Sequence, residues 1–146
     1  MTVRRIIDEL EIKSALKLAL DVFMRFEAPE YQKEGIESFK ASLSSKEYLE
    51  KLKIYGAFEG CKLVGMIATR LLGSHIALFF VDEEYQGQGT GRMLFEQVLS
   101  DCHTERLTVN SSPYAAKIYR HFGFKDDMPE QITDGIRYIP MTYIKK

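Results

Sequence analysis

One stretch of the chain combines an apolar run, a cluster of glycines and the start of a helical pattern: Phe79-Phe80-Val81-Asp82-Glu83-Glu84-Tyr85-Gln86-Gly87-Gln88-Gly89-Thr90-Gly91-Arg92. Glycines let main-chain amides approach an anion closely, and the free amides and dipole of a helix N-terminus stabilise its negative charge. The stretch therefore predicts a phosphate-binding loop between a strand and a helix. On its own, a short glycine pattern is equally compatible with a tight connection that binds no ligand.

Two other kinds of phosphate-binding loop do not fit these residues. A Walker loop requires Gly-Lys-Ser/Thr, and that sequence is absent. A dinucleotide-binding fingerprint that begins at Gly87 requires a third small residue at the position of Arg92. The predicted anion therefore belongs to a different class of ligand.

Length and charge limit the class of protein. A chain of 146 residues is the size of one ordinary domain, so we expect a single domain over residues 1–146. The net charge of −1 lacks the basic excess of proteins that bind through phosphate contacts, and we expect no nucleic-acid partner. Cys61 and Cys102 form no Cys-x-x-Cys pair, so the sequence predicts neither a metal site nor a disulfide framework.

The N-terminus has no apolar stretch of signal-peptide length, and no apolar run approaches the roughly 20 residues that span a bilayer. We therefore expect no membrane association and a cytoplasmic location.

The spacing of apolar residues and turn formers predicts mixed secondary structure. The expected elements are a strand at 3–7, a helix at 10–26, a helix from 29 to about 43, strands at 54–58, 63–72 and 75–81, a helix after the glycines to about 102, a strand at 106–109, a helix at 113–122 and a final strand or hairpin within 132–144. Ser112 is suited to cap the helix that begins at Pro113, and Gly123 to end it.

Gln86-x-x-Gly89-x-Gly91 resembles the Gln/Arg-x-x-Gly-x-Gly/Ala signature of the GNAT acetyltransferases. The likeness extends to a later strand and helix, from Asn110-Ser111-Ser112-Pro113-Tyr114-Ala115-Ala116 through Tyr119 to Phe122-Gly123-Phe124, and to the order of elements over nearly the whole chain. The resemblance implies an α/β (α+β) fold with a mixed, mostly antiparallel sheet of about seven strands, splayed between the fourth and fifth and flanked by about four helices. It also implies transfer of acetyl from acetyl-CoA to a primary amine.

The resemblance further implies the residues of an acetyl-CoA site. Main-chain groups of the strand before the loop would bind the pantetheine arm, loop amides would bind the pyrophosphate, and Asn110 would approach the arm from the other side. For Arg92, contact with a phosphate and exposure to solvent remain equal alternatives. The implied set is Phe79, Phe80, Val81, Gln86, Gly87, Gln88, Gly89, Thr90, Gly91, Arg92, Asn110, Ala115 and Tyr119.

The catalytic residues are open to alternatives. Tyr119 resembles the general acid of the family, although its spacing also suits core packing beside Phe122. His75, six residues before Val81, occupies the position where some histone-acetylating relatives carry a glutamate base, and Glu27 between the first two helices is the alternative base. Glu27, Tyr31 and His75 are the candidates for lining the acceptor site, and each also has an ordinary structural interpretation.

The resemblance leaves the acceptor undefined beyond a small-molecule or peptide amine. A homodimer is compatible with the family, with the segment from Ile132 onward as its interface. The competing hypothesis is a non-catalytic module that senses acetyl-CoA, and the presence of both Asn110 and Tyr119 beside an intact loop argues against it.

Overall fold

A computed structural model of the protein describes residues 1–145. The strands are β1 (Thr2–Ile6), β2 (Lys53–Glu59), β3 (Lys62–Arg70), β4 (His75–Val81), β5 (Arg106–Ser111), β6 (Lys125–Asp126), β7 (Gln131–Thr133) and β8 (Ile136–Ile144). The helices are α1 (Glu9–Val22), α2 (Lys33–Ser44), α3 (Lys46–Glu50), α4 (Thr90–Asp101) and α5 (Ala116–Phe122). A π-helical turn spans Phe23–Glu27, and 3₁₀ turns span Ala28–Glu30 and Glu83–Tyr85.

The strands form an eight-stranded sheet in the order β1-β2-β3-β4-β5-β8-β6, with β7 paired to β8. Strands β4 and β5 are parallel, and the other pairs are antiparallel. The predicted fold class is therefore confirmed. The added elements are α3 and the two-residue β6, which are too short to give a clear periodic pattern.

Two hydrophobic clusters fill the space between the sheet and its helices. One joins α1 to the sheet and contains Ala15, Ala19 and Phe23. The other joins α4 and α5 to the sheet and contains Leu94 and Phe95. Within β3, Met66 belongs to the first cluster and Ile67 to the second, because successive side chains of a strand point to opposite faces. None of the helices in residues 1–145 has the length and apolarity needed to cross a membrane.

Strands β4 and β5 separate soon after they meet. They pair only at His75↔Thr108 and Ile76↔Val109. On the other side of β4, Ala68 pairs with Leu78 and Thr69 with Ile76, so Ala77 is the extra residue of a β-bulge. From Ala77 to Val81, β4 therefore has a paired neighbour only on its β3 side, and its other main-chain edge faces the gap.

Several predicted boundaries differ from the structure. The helix predicted from Pro29 begins only at Lys33, after a 3₁₀ turn over Ala28–Glu30. The strand predicted at 63–72 ends at Arg70, because Leu71 and Leu72 form the hairpin turn with φ angles of 56° and 58°. The helix predicted at 10–26 becomes π-helical at Phe23. The helix predicted from Pro113 begins at Ala116, although Ser112 Oγ accepts a hydrogen bond from the Ala115 amide at 3.1 Å.

Candidate functional site

A cavity of about 490 Å³ lies against the glycine segment, and we call it the loop cavity. Its walls include the C-terminal half of β4, the start of α4 and one face of α5. Most of the residues predicted for the cofactor site line it: Phe79, Phe80, Val81, Gln86, Gly87, Gly89, Gly91, Arg92, Ala115 and Tyr119.

The loop presents main chain to this cavity. Gly87 and Gly89 have φ angles of 76° and 88°, and a β-carbon at either position would meet no atom within 4 Å. Gly89 is the residue before α4, and the first amides of a helix have no acceptor within it. Gln88 and Thr90 do not line the cavity, because the Gln88 side chain donates to the Glu84 carbonyl at 2.8 Å and the Thr90 side chain is buried. The free amides suit an anion.

Three basic side chains also line the loop cavity. The guanidinium carbon of Arg92 lies 4.9 Å from the centre of the Phe122 ring, and Lys117 and His121 come from α5. Sequence reasoning missed Lys117 and His121, although their spacing of four residues places them on one helix face. The cavity therefore combines free amides with cationic groups, as a phosphate-rich ligand requires.

A second cavity of about 250 Å³ follows β4 from His75 to Phe80, and we call it the inner cavity. It lies at the gap between β4 and β5, with α2 and α3 supplying other walls. Ten polar residues from separate parts of the chain line it: Glu27, Tyr31, Ser42, Tyr48, Arg70, His75, Asn110, Ser111, Ser112 and Tyr119. Asn110, predicted at the cofactor site, lines this cavity and not the loop cavity.

The two cavities meet at a shared wall. Five residues line both of them: Glu27, Phe79, Phe80, Ala115 and Tyr119. Two of these five have ionisable side chains: Glu27, a carboxylate, and Tyr119, a phenol. We call this shared wall the junction.

Glu27 reaches the junction because α1 ends in a π-helical turn. The Ala28 amide donates to the Phe23 carbonyl, five residues back, and such turns occur frequently at functional sites. Burial raises the pKa of the Glu27 carboxyl to about 7, with a smaller opposing effect from a hydrogen bond with Ser112 and a further increase from the nearby charge of Glu30. Glu27 thus changes its charge near neutral pH.

Tyr119 is buried in the wall, with 5% of its surface exposed. Its ring packs edge-on against Phe79 and Phe124, with centroids 6.0 and 5.3 Å away. Burial, followed by the charge of Glu27, raises the pKa of the Tyr119 phenol well above its ordinary value. The hydroxyl therefore keeps its proton at neutral pH and is available as a donor.

His75 lies at the closed end of the β4–β5 gap, with 8% of its surface exposed. His75 Nδ1 lies 2.7 Å from Thr108 Oγ1, so this ring nitrogen already has a hydrogen-bond partner. Burial, and secondly the charge of Arg70, lowers the pKa of His75 to about 4. The imidazole is therefore neutral at pH 7 and a weaker base than the Glu27 carboxylate.

Tyr31 lines the inner cavity but uses its hydroxyl elsewhere. The hydroxyl donates to the Arg137 carbonyl at 3.1 Å, and the ring lies edge-on to Phe23 at 5.4 Å. Tyr31 therefore joins the 3₁₀ turn to β8 while its ring forms part of the cavity wall. Within residues 1–145, no cluster of three or more metal-ligating side chains was found.

Comparison with known proteins places this geometry in a family. Solved structures with the same fold include a GCN5-related N-acetyltransferase from Rhodopseudomonas palustris, with a TM-score of 0.81, 18% identity, and 98% of this chain and 94% of that chain covered. Another is the PaiA N-acetyltransferase from Thermoplasma acidophilum in complex with coenzyme A, with a TM-score of 0.72, 20% identity and 99% of each chain covered.

A third similar structure is the ribosomal-protein-S18-alanine N-acetyltransferase from Escherichia coli, with a TM-score of 0.64, 20% identity, and 99% of this chain and 94% of that chain covered. No protein of curated function matches the chain in sequence. The family profile described as "Acetyltransferase (GNAT) domain" matches residues 27–145, which is most of the chain. The chain belongs to the GNAT acetyltransferase family.

Proposed function

We propose that this protein transfers the acetyl group of acetyl-CoA to a primary amine by direct attack in a ternary complex. The observation that carries the proposal is the junction: the loop cavity and the inner cavity share Glu27 and Tyr119. In this proposal the loop cavity holds the acetyl donor, the inner cavity holds the amine, and reaction occurs between them.

The loop cavity fits the chemistry of coenzyme A. Its free helix amides, with Arg92 and Lys117, suit the phosphates, and the unpaired edge of β4 from Ala77 to Val81 suits the amide groups of the pantetheine arm. The similar fold of PaiA in complex with coenzyme A supports this assignment. When bound, acetyl-CoA supplies an acetyl group activated as a thioester.

Glu27 is proposed as the base for the amine. As the amine nitrogen forms its bond to the acetyl carbon, the Glu27 carboxylate accepts the nitrogen's proton, directly or through water. A pKa of about 7 suits this role, because the group is ionised at and above neutral pH and still accepts a proton well. His75 is the weaker candidate, since its pKa is about 4 and its Nδ1 is occupied by Thr108.

Tyr119 is proposed as the acid for the leaving group. When the carbon–sulfur bond breaks, the Tyr119 hydroxyl donates its proton to the sulfur, which leaves as the free thiol of CoA. A main-chain N–H at or next to Val81, on the free edge of β4, is proposed to stabilise the charge that develops on the carbonyl oxygen. Glu27 then releases its proton to solvent and Tyr119 regains one, which restores both groups.

Thiol release from acetyl-CoA tests the proposal against the alternative of a non-catalytic sensor. The assay uses a panel of polyamines, amino acids, aminoglycosides and peptides, with the acetylated product identified by mass. We expect acceptor-dependent release. Binding of acetyl-CoA without acetylation of any acceptor favours the sensor, and absence of binding to both CoA and acetyl-CoA contradicts both functions.

A further inference from the structure

Arg70 lies at the far end of the inner cavity from the junction. It is the last residue of β3 and pairs with His75, the first residue of β4. Both side chains line the cavity. The Arg70 Nε is buried and has no hydrogen-bond partner among the described residues.

No acidic side chain neutralises Arg70 within residues 1–145. The ion pairs found there involve other cations. Among the described residues that line the inner cavity, Glu27 is the only carboxylate and Arg70 the only permanent cation. A buried guanidinium N–H, such as that at Nε, is unfavourable unless an acceptor pairs with it.

The surroundings of Arg70 suit an anion. Tyr48 and His75 lie near enough to Arg70 to feel its charge, Ser42 lines the same cavity, and all three carry neutral hydrogen-bonding groups. Burial, and secondly the charge of Arg70, lowers the pKa of His75 and keeps the imidazole neutral. Burial raises the pKa of Tyr48, and the charge of Arg70 opposes that rise. No group at this end repels an oxyanion, and the planar guanidinium can bind one through two parallel hydrogen bonds.

The size of the cavity points to a small ligand. Five residue steps along β4 separate His75 from Phe80, which is roughly 16 Å of strand. The volume of about 250 Å³ is below the roughly 300–1,000 Å³ of sites for drug-sized ligands. The Glu27 carboxylate and the Arg70 guanidinium therefore lie at opposite ends of a narrow cavity about the size of an amino acid.

We infer that the acceptor is a small zwitterion whose oxyanion binds Arg70 while its amino group lies at Glu27. This inference rests on the proposed acetyl transfer and adds the chemical class of the acceptor. The oxyanion is a carboxylate or a phosphate, and the choice of acceptors separates the two. Arg70 is a specificity-determining residue in this scheme and takes no part in proton transfer.

Matched acceptors test the inference. β-Alanine is compared with propylamine, 4-aminobutyrate with butylamine, 6-aminohexanoate with hexylamine, and O-phosphoethanolamine with ethanolamine, in the thiol-release assay. For at least one pair, we expect kcat/KM to be at least about 10²-fold higher for the zwitterion than for the amine that lacks the anionic group. The best chain length reports the distance between the two charged ends, and the phosphate pair distinguishes phosphate from carboxylate.

Arg70→Met is expected to remove this preference by raising KM for the zwitterion about 10²-fold, with kcat and the KM of the simple amine little changed. Arg106→Met, an exposed arginine in β5, is the matched control and should retain the preference. If Arg70→Met does not fold, Arg70→Lys serves, with about a 10-fold rise in KM because the two-point geometry is lost.

Binding provides a readout that does not require turnover. Propionate and butyrate, which carry the anion without the amine, are expected to raise the melting temperature of the wild type bound to CoA and to have no such effect on Arg70→Met. Equal kcat/KM for zwitterions and simple amines, unchanged by Arg70→Met, overturns the inference while leaving acetyl transfer intact. Absence of transfer to every amine instead contradicts the proposed function.

Discussion

The two cavities on either side of Glu27 and Tyr119 are built in different ways. The loop cavity takes its free main-chain amides from one contiguous segment, residues 86–92, while β4 and α5 supply its other walls. The inner cavity is lined by side chains from the π-helical turn, α2, α3, β3, β4, β5 and β8. A ligand common to many proteins can be held by backbone, whereas a particular ligand requires particular side chains. The difference explains why a motif identifies one cavity and no motif describes the other.

The largest effect is expected from Gly89→Glu. A carboxylate at the start of α4 repels phosphate, and glutamate is strained at a φ angle of 88°, so the Kd for CoA should rise by about 10³-fold or more. Gly60→Glu is a matched control, because Gly60 has a φ angle of 61°, equally open surroundings and a position in the β2–β3 turn. Calorimetric titration of CoA gives both constants. Unchanged affinity in Gly89→Glu contradicts the phosphate assignment.

Tyr119→Phe removes the proton donor and keeps the packing of the ring. We expect kcat to fall by about 10²- to 10³-fold with little change in the Kd for CoA. Tyr143→Phe removes a hydroxyl from the same aromatic cluster without touching either cavity, and should retain full activity. Equal rates for the two variants would assign Tyr119 to core packing alone.

Glu27→Gln should reduce kcat/KM by about 10²-fold at pH 8 and change its pH dependence. Because the pKa of Glu27 is about 7, wild-type kcat/KM should fall as pH is lowered through 7. This fall, the acidic limb of the pH profile, should be absent in the variant.

The pH dependence of stability provides a second test of Glu27. The folded-state pKa is above the ordinary glutamate value of 4.5, so the wild type should lose stability relative to the variant as pH rises from about 4.5 to about 7. A limb near pH 7 that persists in Glu27→Gln would identify another base.

Gly35→Ala should affect the inner cavity alone. Alanine ordinarily stabilises a helix by about 1 kcal/mol relative to glycine, but a β-carbon at Gly35 would overlap the Gly135 carbonyl oxygen in the β7–β8 turn. We expect a net loss of about 1–3 kcal/mol in the free energy of unfolding and a several-fold rise in acceptor KM, with the Kd for CoA unchanged. Urea denaturation and steady-state kinetics measure these effects. A gain in the free energy of unfolding would contradict the predicted overlap, because it would mean that α2 can move away from the β7–β8 turn without cost.

The smallest effect is expected from Glu30→Gln. The charge of Glu30 raises the pKa of Glu27, so its removal should shift the acidic limb of kcat/KM to lower pH by a few tenths of a unit. Glu34→Gln, an exposed change in the first turn of α2, is the control. A shift in the opposite direction would contradict the electrostatic description of the junction.

Sequence reasoning predicted the loop cavity well because its determinants are local. Glycines, the strand before them and the helix after them stand next to one another in the chain, and Tyr119 could be carried over from a family pattern. The π-helical turn that brings Glu27 to the junction was not predicted, because the apolar spacing of residues 10–26 is that of one continuous α-helix.

Arg70 was absent from the predicted site for a related reason. Arg70 is the last residue of β3, but the apolar residues Leu71 and Leu72 follow it, so the predicted strand extended to Leu72. Its place beside His75 depends on the β3–β4 register, and its place in the cavity depends on the separation of β4 from β5. Both are tertiary features that no local pattern records.

Two-substrate kinetics test the junction most directly. Initial rates of thiol release are measured over a matrix of acetyl-CoA and amine concentrations, with the mass of the enzyme recorded after exposure to acetyl-CoA alone. Adjoining donor and acceptor cavities require intersecting double-reciprocal lines and an unmodified enzyme. Parallel lines together with an acetylated enzyme would contradict direct transfer between the two cavities.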